Sequence, residues 1–443
     1  MDQVVEKQII RRLFWRLIPL LSVLYIIAFI DRVNVSFAAL TMNKQIGLTA
    51  YTFGLGAGIF YFGYCVFEVP SNLMLYRVGA RRWIARILFT WGLVACAMTW
   101  VQGPKSFLTM RFILGLAEAG FYPGVILYLT YWFPASYRAR IMSCFATAVP
   151  ISVAVGAPIS TWILQLDGAL GLHGWQWLYL LEGLPAVLMP IAVLILLPDS
   201  PAKALWLNEN EKLWLVRELE RDREQGAVDK PTSGALKACF NPVIIALTLI
   251  YFVDFATNIG LTMFLPQIIK AQGFSNMQTG FLSSIPYIAG CAGMLLIGYS
   301  SDRFKERKWH LFASLMIIAI GLGTAGFLGN HIGAIVAIVL ATIGIMGLKG
   351  PFWTLPSAYL TGAGAAAGIA FINSVGSLGG FFGPWIVGLA KQMTNSFSGG
   401  LYALAAVAVG GAILTSIAIR VGKPTACVVP ETPAKTSEVV GTP

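Results

Sequence analysis

Apolar stretches of about 20 residues, separated by short polar segments, recur along nearly the whole chain, and each is long enough to cross a hydrocarbon core as a helix. Backbone polar groups in lipid must be hydrogen-bonded internally, which favours helices, and the alternating pattern of a barrel is missing. The pattern predicts an all-α membrane protein with twelve spans, at about 13–40, 50–74, 83–102, 106–131, 139–164, 175–197, 241–269, 277–299, 309–329, 333–360, 364–390 and 398–420.

Composition agrees with a bilayer environment. The chain has 443 residues, of which 57% are hydrophobic and 12% charged, whereas soluble domains carry about 25% charged residues. The net charge of +11 is interpreted as a topology signal and not as a nucleic-acid surface, because the basic residues cluster in alternate loops. The richer loops hold Arg77, Arg81, Arg82, Arg86, Arg138, Arg140, Arg303, Lys305, Arg307 and Lys308, against Lys44, Lys105, Lys270 and Lys391 opposite. This asymmetry predicts a multi-pass protein of the plasma membrane with both termini cytoplasmic.

A long polar stretch from Asp199 to Cys239 divides the spans into six and six. The predicted organisation is an N-terminal six-helix half (1–198), a cytoplasmic linker (199–240), a C-terminal six-helix half (241–420) and a cytoplasmic tail (421–443). The tail is rich in Pro, Thr and Val and poor in aromatic residues, which predicts disorder.

The two halves repeat each other at one fixed offset. Gly54 matches Gly280, and Arg77 matches Arg303, so that both pairs are 226 residues apart (280 − 54 = 226). The same offset joins further pairs: Tyr25 and Tyr251, Phe29 and Phe255, Gly47 and Gly273, Tyr61 and Tyr287, Arg81 and Arg307, Trp83 and Trp309, Pro158 and Pro384. Parallel six-span repeats are the architecture of secondary transporters, in which two halves rock about a central site. Two unrelated bundles of similar composition are the alternative.

Charged side chains inside the spans are the candidate chemistry, because each costs at least about 2.5 kcal/mol at the bilayer centre. They are Asp31, Arg32, Glu68, Arg111, Glu118, Glu182, Asp254 and Lys349. In the fourth span Arg111, Gly115, Glu118 and Tyr122 recur at helical spacing, which predicts one polar face.

A positive pocket suits an organic anion, because an arginine fork binds a carboxylate through two nitrogens. Arg32 and Arg111 supply such forks, while Asp31 and Glu118 are acids that protons can neutralise as the anion binds. The structural alternatives are a static Asp31–Arg32 ion pair that ties the first and fourth spans together, and a purely structural Arg111–Glu118 face.

Several motifs carry a family resemblance. "GYSSDRFKERK" resembles the cytoplasmic loop motif of the major facilitator superfamily, and the first-half copy "LYRVGARR" has Tyr76 in place of its acid. "DRVNVSFA", "FEVPSNLML", "RFILGLAEAGFYPG", "GWQWLYLLEGLPA", "MFLPQIIKAQGFS" and "INSVGSLGGFFGP" are similar to the anion:cation symporter branch. That branch includes bacterial permeases for galactonate, tartrate, phthalate and hydroxyphenylacetate.

The resemblance implies roles for individual residues. Asp31 and Glu118 are then the proton-coupling acids, and Arg32 and Arg111 serve substrate binding and coupling. The further substrate contacts that it implies are Tyr64, Trp353 and Asn373. Gating or structural roles are predicted for Glu68, which lies near Pro70 at a span end, and for the loop residues Arg77, Asp302 and Arg303.

Two charges belong to the second half. Asp254 and Lys349 form a structural ion pair in one interpretation. In the other, Lys349 faces the substrate and binds a second carboxylate or a hydroxyl, which favours a sugar acid or a hydroxy-dicarboxylate. Glu182 has no role beyond a buried hydrogen bond.

The sequence therefore predicts a proton-coupled importer of a small organic anion that needs no cofactor and works as a monomer. An anion exchanger or exporter on the same fold is the alternative, and a non-transporting sensor is a remote one. An enzyme is not expected, because His173, His310 and His331 all fall at loops or span ends, which leaves the membrane interior without a histidine base.

Overall fold

The computed structural model describes residues 3–226, 240–359 and 362–419, and within these ranges it contains helices and no strand. The prediction of an all-α protein is confirmed. The α-helices are Gln3–Gln45, Ala50–Val78, Ala80–Ala97, Pro104–Glu118, Phe121–Thr130, Ala135–Ala146, Ala148–Ile163, Gly174–Leu196, Glu209–Gly226, Pro242–Lys270, Asn276–Phe304, Lys308–Leu328, Gly333–Tyr359, Gly362–Gly376, Gly379–Thr394 and Ser398–Ala418. Short 3-10 turns cover Met98–Trp100, Leu164–Leu166, Ala169–Gly171 and Pro201–Lys203. The predicted disordered tail and linker residues 227–239 lie outside the described ranges.

These helices provide twelve candidate membrane spans, numbered here 1 to 12 in chain order. Three spans consist of two helices each, because the regular helix is interrupted inside them. Span 4 joins Pro104–Glu118 to Phe121–Thr130, span 5 joins Ala135–Ala146 to Ala148–Ile163, and span 11 joins Gly362–Gly376 to Gly379–Thr394. The other spans are single helices, several of which contain a proline.

The repeat in the sequence is also a repeat in the structure. Thr49 caps span 2, and Ser275, at the same offset of 226 residues, caps span 8 through the same kind of capping box. Two residues before each cap stand Gly47 and Gly273, with φ of 68° and 93°. Since L side chains rarely adopt that backbone region, glycine is needed in both turns.

The linker helix Glu209–Gly226 contacts the N-terminal half. Glu211 accepts a hydrogen bond from Arg12 at 2.9 Å, and Asp222 accepts one from the backbone N–H of Ala135 at 2.6 Å. Arg138 adds an ion pair with Asp222 at 3.4 Å. We call the side of the molecule that carries this helix the linker face, and the opposite side the distal face.

The two halves meet along spans 2 and 11 and along spans 5 and 8. Gly54 lies against the backbone of Pro384 and Gly388, and Gly280 lies against Ala157 and Thr161. A methyl group at either glycine would overlap these atoms. The seam between spans 2 and 11 starts at the distal end, where the Tyr51 N–H donates to Gln392 at 3.3 Å.

Two side chains of span 10 keep exposed surface. Lys349 and Trp353 both contact span 7, the most buried of the spans, yet 28% of the Lys349 side chain and 37% of Trp353 remain exposed. At the distal face the protein is closed by the contacts of Tyr51 and Gly54 with span 11.

Candidate functional site

An ion pair between spans 1 and 4 lies at the centre of the N-terminal half. Arg32 donates from Nη2 to Oε1 of Glu118, with 13% and 1% of the two side chains exposed. Aromatic rings surround the guanidinium, with Phe60 and Tyr64 each 5.5 Å from it. In surroundings this apolar the two charges stabilise each other strongly, and losing one partner would leave the other buried and uncompensated.

Span 4 breaks directly after Glu118. Ala119 leaves the helical region with ψ of 133°, and Gly120 is left-handed with φ of 86°. Pro123 then lies in the first turn of the next helix, where its missing N–H costs nothing. Glu118 is therefore the last residue of its helix and points toward Arg32 from the point of the break.

The residues of the predicted polar face of span 4 contact two neighbouring spans. Glu118 pairs with Arg32 of span 1. After the break, the Tyr122 ring stacks on Tyr25, also of span 1, at 5.2 Å. Gly115 allows a close backbone approach to Phe60 of span 2.

Asp31 and Arg32 point in different directions, so the alternative of an Asp31–Arg32 ion pair is wrong. Successive side chains on a helix diverge by roughly 100°. Asp31 lies inside the N-terminal half, 2% exposed, where it accepts hydrogen bonds from Asn34 at 2.8 Å and from Trp91 of span 3.

Arg111 is fully buried, with its guanidinium 4.9 Å from the centroid of the Phe60 ring. Its Nε donates to the carbonyl oxygen of Gly56 at 3.2 Å. Nη1 and Nη2 have no hydrogen-bond partner among the residues that the structure describes. Buried donors without partners are costly, so these two nitrogens could bind an anionic group.

In the C-terminal half Lys349 donates to Oδ2 of Asp254 at 3.1 Å. The predicted structural pair is therefore present. Asp254 is fully buried, but 28% of the Lys349 side chain is exposed. One turn further on, the Trp353 ring lies edge-on to Tyr251 at 5.1 Å.

Glu68 and Asn373 connect the two halves. The Asn373 amide of span 11 donates to Oε1 of Glu68 at 3.2 Å. Tyr64, one turn before Glu68, is half-buried beside Arg32. The predicted substrate contacts Tyr64 and Asn373 thus lie near one another, on opposite halves, and Glu68 contacts one of them.

The loop-motif residues lie at the linker face, away from the central charges. Asp302 pairs with Arg307 at 2.6 Å, whereas Arg77 and Arg303 are exposed. Glu306 accepts from the Trp309 N–H at 2.8 Å and so begins span 9. Partial burial would raise the pKa of Glu306, but hydrogen bonds from the Trp309 and His310 N–H groups and from the His310 ring outweigh it and lower that pKa.

Sequence reasoning missed several side chains of this site. Trp91, Asn34 and Phe60 contact the predicted charges, but each is an ordinary residue within an apolar run. The spacing of Asn34 from Asp31, three residues on a helix, is the one signal that pointed to a contact.

Twelve apolar helices around a buried set of charges define an integral multi-pass membrane protein. The model of the Major Facilitator Superfamily matches residues 21–384, and the chain belongs to that family of secondary transporters. Members of this family are transporters and not enzymes.

Relatives and solved structures agree with this assignment. A protein of Agrobacterium vitis that carries the name tartrate transporter is 46% identical over 420 residues, covering 95% of this chain and 96% of its own. A quinolone resistance transporter of Acinetobacter baumannii is 44% identical over 413 residues, covering 93% and 95%. The inward-facing, occupied structure of a bacterial homologue of the human lysosomal transporter Spinster superimposes with a TM-score of 0.74 at 17% identity, covering 90% and 96%.

Proposed function

We propose that the protein is a proton-coupled symporter that takes up a small organic carboxylate by alternating access. The observation that carries the proposal is the competition for Arg32. Glu118 already neutralises this guanidinium, so an incoming carboxylate can bind Arg32 only when Glu118 gives it up. Protonation of Glu118 releases Arg32, and the substrate carboxylate then replaces Glu118 as its partner, so that proton and substrate bind together.

Such coupling supplies the driving force that an anion needs. An anion entering a cell with a negative interior moves against about 2.3 kcal/mol per charge per 100 mV. A proton carried on Glu118 cancels one charge, and one on Asp31 cancels a second. Protons are thus the coupling ion, with no other cofactor. Arg111, with two unpartnered nitrogens beside Phe60, supports a second anion position in the same half.

The other end of the substrate would face the second half, where Lys349 and Trp353 are partly exposed. A carboxylate or hydroxyl at that end of the substrate can replace Asp254 as the hydrogen-bond partner of Lys349, because the ammonium group is only partly buried. We therefore favour a sugar acid or a hydroxy-dicarboxylate. The name of the Agrobacterium vitis relative, a tartrate transporter, supports this substrate class.

The basic residues at the linker face support an orientation with both termini in the cytoplasm of a bacterial cell, in the inner membrane. Function as a monomer fits a site built within one chain. Export or exchange is the second candidate, supported by the relative named for quinolone resistance.

Uptake into proteoliposomes tests the proposal. We expect an imposed inward proton gradient to accumulate L-tartrate, and a proton-sensitive dye inside the vesicles to report protons entering with it. A panel of monocarboxylates, dicarboxylates and sugar acids identifies the preferred class, and ciprofloxacin serves as the exporter probe. If no acid accumulates and only ciprofloxacin moves in exchange for protons, the exporter replaces the symporter.

A further inference from the structure

Phe60 of span 2 contacts both arginines of the candidate site. The centroid of its ring lies 5.5 Å from the guanidinium carbon of Arg32 and 4.9 Å from that of Arg111. The Phe60 side chain is fully buried. Both distances are within the range, up to about 6 Å, at which the electron-rich face of an aromatic ring attracts a cation. One phenyl ring therefore stabilises two guanidinium groups.

Span 4 contacts Phe60 through two successive turns. Arg111 contacts the ring, and Gly115, one turn later, lies against the backbone carbonyl of Phe60, where an added methyl group would overlap the oxygen. The neighbouring Tyr61 ring is nearly perpendicular to the Phe60 ring, with the two centroids 5.1 Å apart. A fully buried ring whose backbone packs this closely has little freedom to move. The position of Phe60 is thus fixed by the packing of spans 2 and 4.

Arg111 has no acidic partner among the residues that the structure describes. Its Nε donates to the carbonyl oxygen of Gly56 at 3.2 Å, while Nη1 and Nη2 lack hydrogen-bond partners there. Glu118 and Asp31, the buried acids of spans 4 and 1, are hydrogen-bonded to other residues. A buried cation without a counter-ion is costly. The Phe60 ring is therefore a main stabilising contact of this guanidinium group.

An aromatic ring stabilises a cation in a different way from a carboxylate. A carboxylate cancels the charge and binds the donors of the guanidinium fork, so a transported anion would have to displace it. A ring attracts the cation through its quadrupole and carries no net charge. Beside Phe60, Arg111 keeps its positive charge and both of its terminal nitrogens.

We propose that Phe60 is a positioning residue for the transported anion, and that the face of its ring holds Arg32 and Arg111 in place to bind carboxylate groups without neutralising them. At Arg32, the ring keeps the guanidinium in position while the substrate replaces Glu118, so less side-chain freedom is lost when the anion binds. At Arg111, the ring takes the place of a counter-ion. This role rests on the proposed function in one respect, the carboxylate substrate.

Fluorinated phenylalanines test this role, because fluorine withdraws electrons from the face of the ring and changes its shape little. Phenylalanine at position 60 is replaced by its 4-fluoro, 3,5-difluoro and 3,4,5-trifluoro forms through stop-codon suppression. The Kd for L-tartrate is measured in detergent by isothermal titration at one pH. We expect the Kd to rise with each added fluorine, to about tenfold in the trifluoro variant, which corresponds to the loss of most of one desolvated cation–π contact.

Phe107 of span 4 is the matched control. It is fully buried, packs against Gly56 and stacks on Phe53. Within the described ranges, the cations that lie over aromatic rings contact other rings than this one. The same fluorinated residues at position 107 should therefore leave the Kd unchanged, and they measure any effect of fluorine size beside the site.

A Kd that stays level across the series at position 60, or that rises equally at position 107, overturns the positioning role, because the shape of the ring alone would then matter. A Kd that falls with fluorination overturns it too, since the ring would then compete with the anion for the arginines. If the trifluoro variant does not fold, the trend from phenylalanine to the two less fluorinated forms decides in the same way. Tartrate binding that follows the expected trend in a protein without proton-driven uptake overturns the proposed coupling and leaves the role of Phe60 standing. Wild-type protein that binds no carboxylate overturns both.

Discussion

At the scale of single residues, the Arg32–Glu118 pair gives the clearest expectation. Glu118→Gln keeps the shape of the side chain but removes the proton site. Arg32 is then permanently available to substrate, so exchange of internal for external tartrate should continue while proton-driven accumulation falls to the level without a gradient. Asp31→Asn should likewise keep exchange and lose proton-driven accumulation, because it removes the second acid that is proposed to carry a proton. Paired uptake and counterflow assays check both variants, and full gradient-driven accumulation by either one removes that residue from coupling.

Lys349 tests the substrate class. Its partner Asp254 is fully buried, whereas 28% of the Lys349 side chain is exposed. If Lys349 binds the group at the far end of the substrate, the Lys349→Met variant should bind tartrate roughly ten- to a hundredfold more weakly, the value of one charge-assisted hydrogen bond. A matched monocarboxylate that lacks this far group should bind as before.

The same substitution has a structural control. Lys349→Met leaves Asp254 as an unpaired buried charge, which is costly. The double variant with Asp254→Asn removes that charge. If the double variant restores the affinity for both acids, Lys349 serves structure and not recognition. Binding measured by isothermal titration, with thermal unfolding in detergent alongside, distinguishes the two.

At the scale of elements, the break in span 4 depends on one glycine. Gly120→Ala places a side chain in the left-handed region, at a cost of about 1 to 2 kcal/mol, and drives its methyl group into the side chain of Ser71. We expect a lower unfolding temperature and weaker coupling, because Glu118 would move from Arg32. Gly168 also has a positive φ, of 84°, but nothing lies within 4 Å of an added methyl group. Gly168→Ala therefore measures the backbone strain alone. Equal losses in the two variants would show that packing against Ser71 contributes nothing.

The elements also show how much of the fold could be predicted from the sequence. Eleven of the twelve spans were predicted within a few residues, because apolar length is written directly into the chain, whereas the first begins at Val5, eight residues before the predicted start at 13. The break after Glu118 was not, although Gly120 and Pro123 were visible, because glycine and proline also occur in unbroken membrane helices. The partners of Asp31 were out of reach for another reason. Trp91 lies 60 residues away and comes near only through the packing of spans 1 and 3.

At the scale of the whole molecule, the repeat of the two halves means that the distal face is closed at two equivalent contacts. We call these contacts crossings: one joins spans 2 and 11, and the other joins spans 5 and 8. Gly54 lies against span 11 near Pro384, and Gly280, at the same offset, lies against span 5 beside Pro158. Each glycine allows backbone contact between the halves that any side chain would prevent. Alternating access requires that both crossings form and break together, so a change at either glycine should act on the same equilibrium.

We therefore expect Gly54→Ala and Gly280→Ala to shift the protein toward a state open at the distal face, by similar amounts. Overpacking costs about 1 to 3 kcal/mol, so the population of the open state should rise roughly fivefold or more. Phe53, fully buried against Phe264 of the other half, reports the change. In a background without native cysteines, Phe53→Cys should react faster with an impermeant maleimide applied from the distal side.

Gly298→Ala is the matched control for this comparison. It lies in span 8 like Gly280, but nothing lies within 4 Å of its added methyl group, so the labelling rate should stay at that of the parent. If Gly54→Ala accelerates labelling and Gly280→Ala does not, the two crossings are not equivalent, and distal closure depends on spans 2 and 11 alone. If neither variant labels faster than Gly298→Ala, close packing at these glycines does not hold the distal face shut, and the closure must come from the aromatic and polar contacts along the same seam.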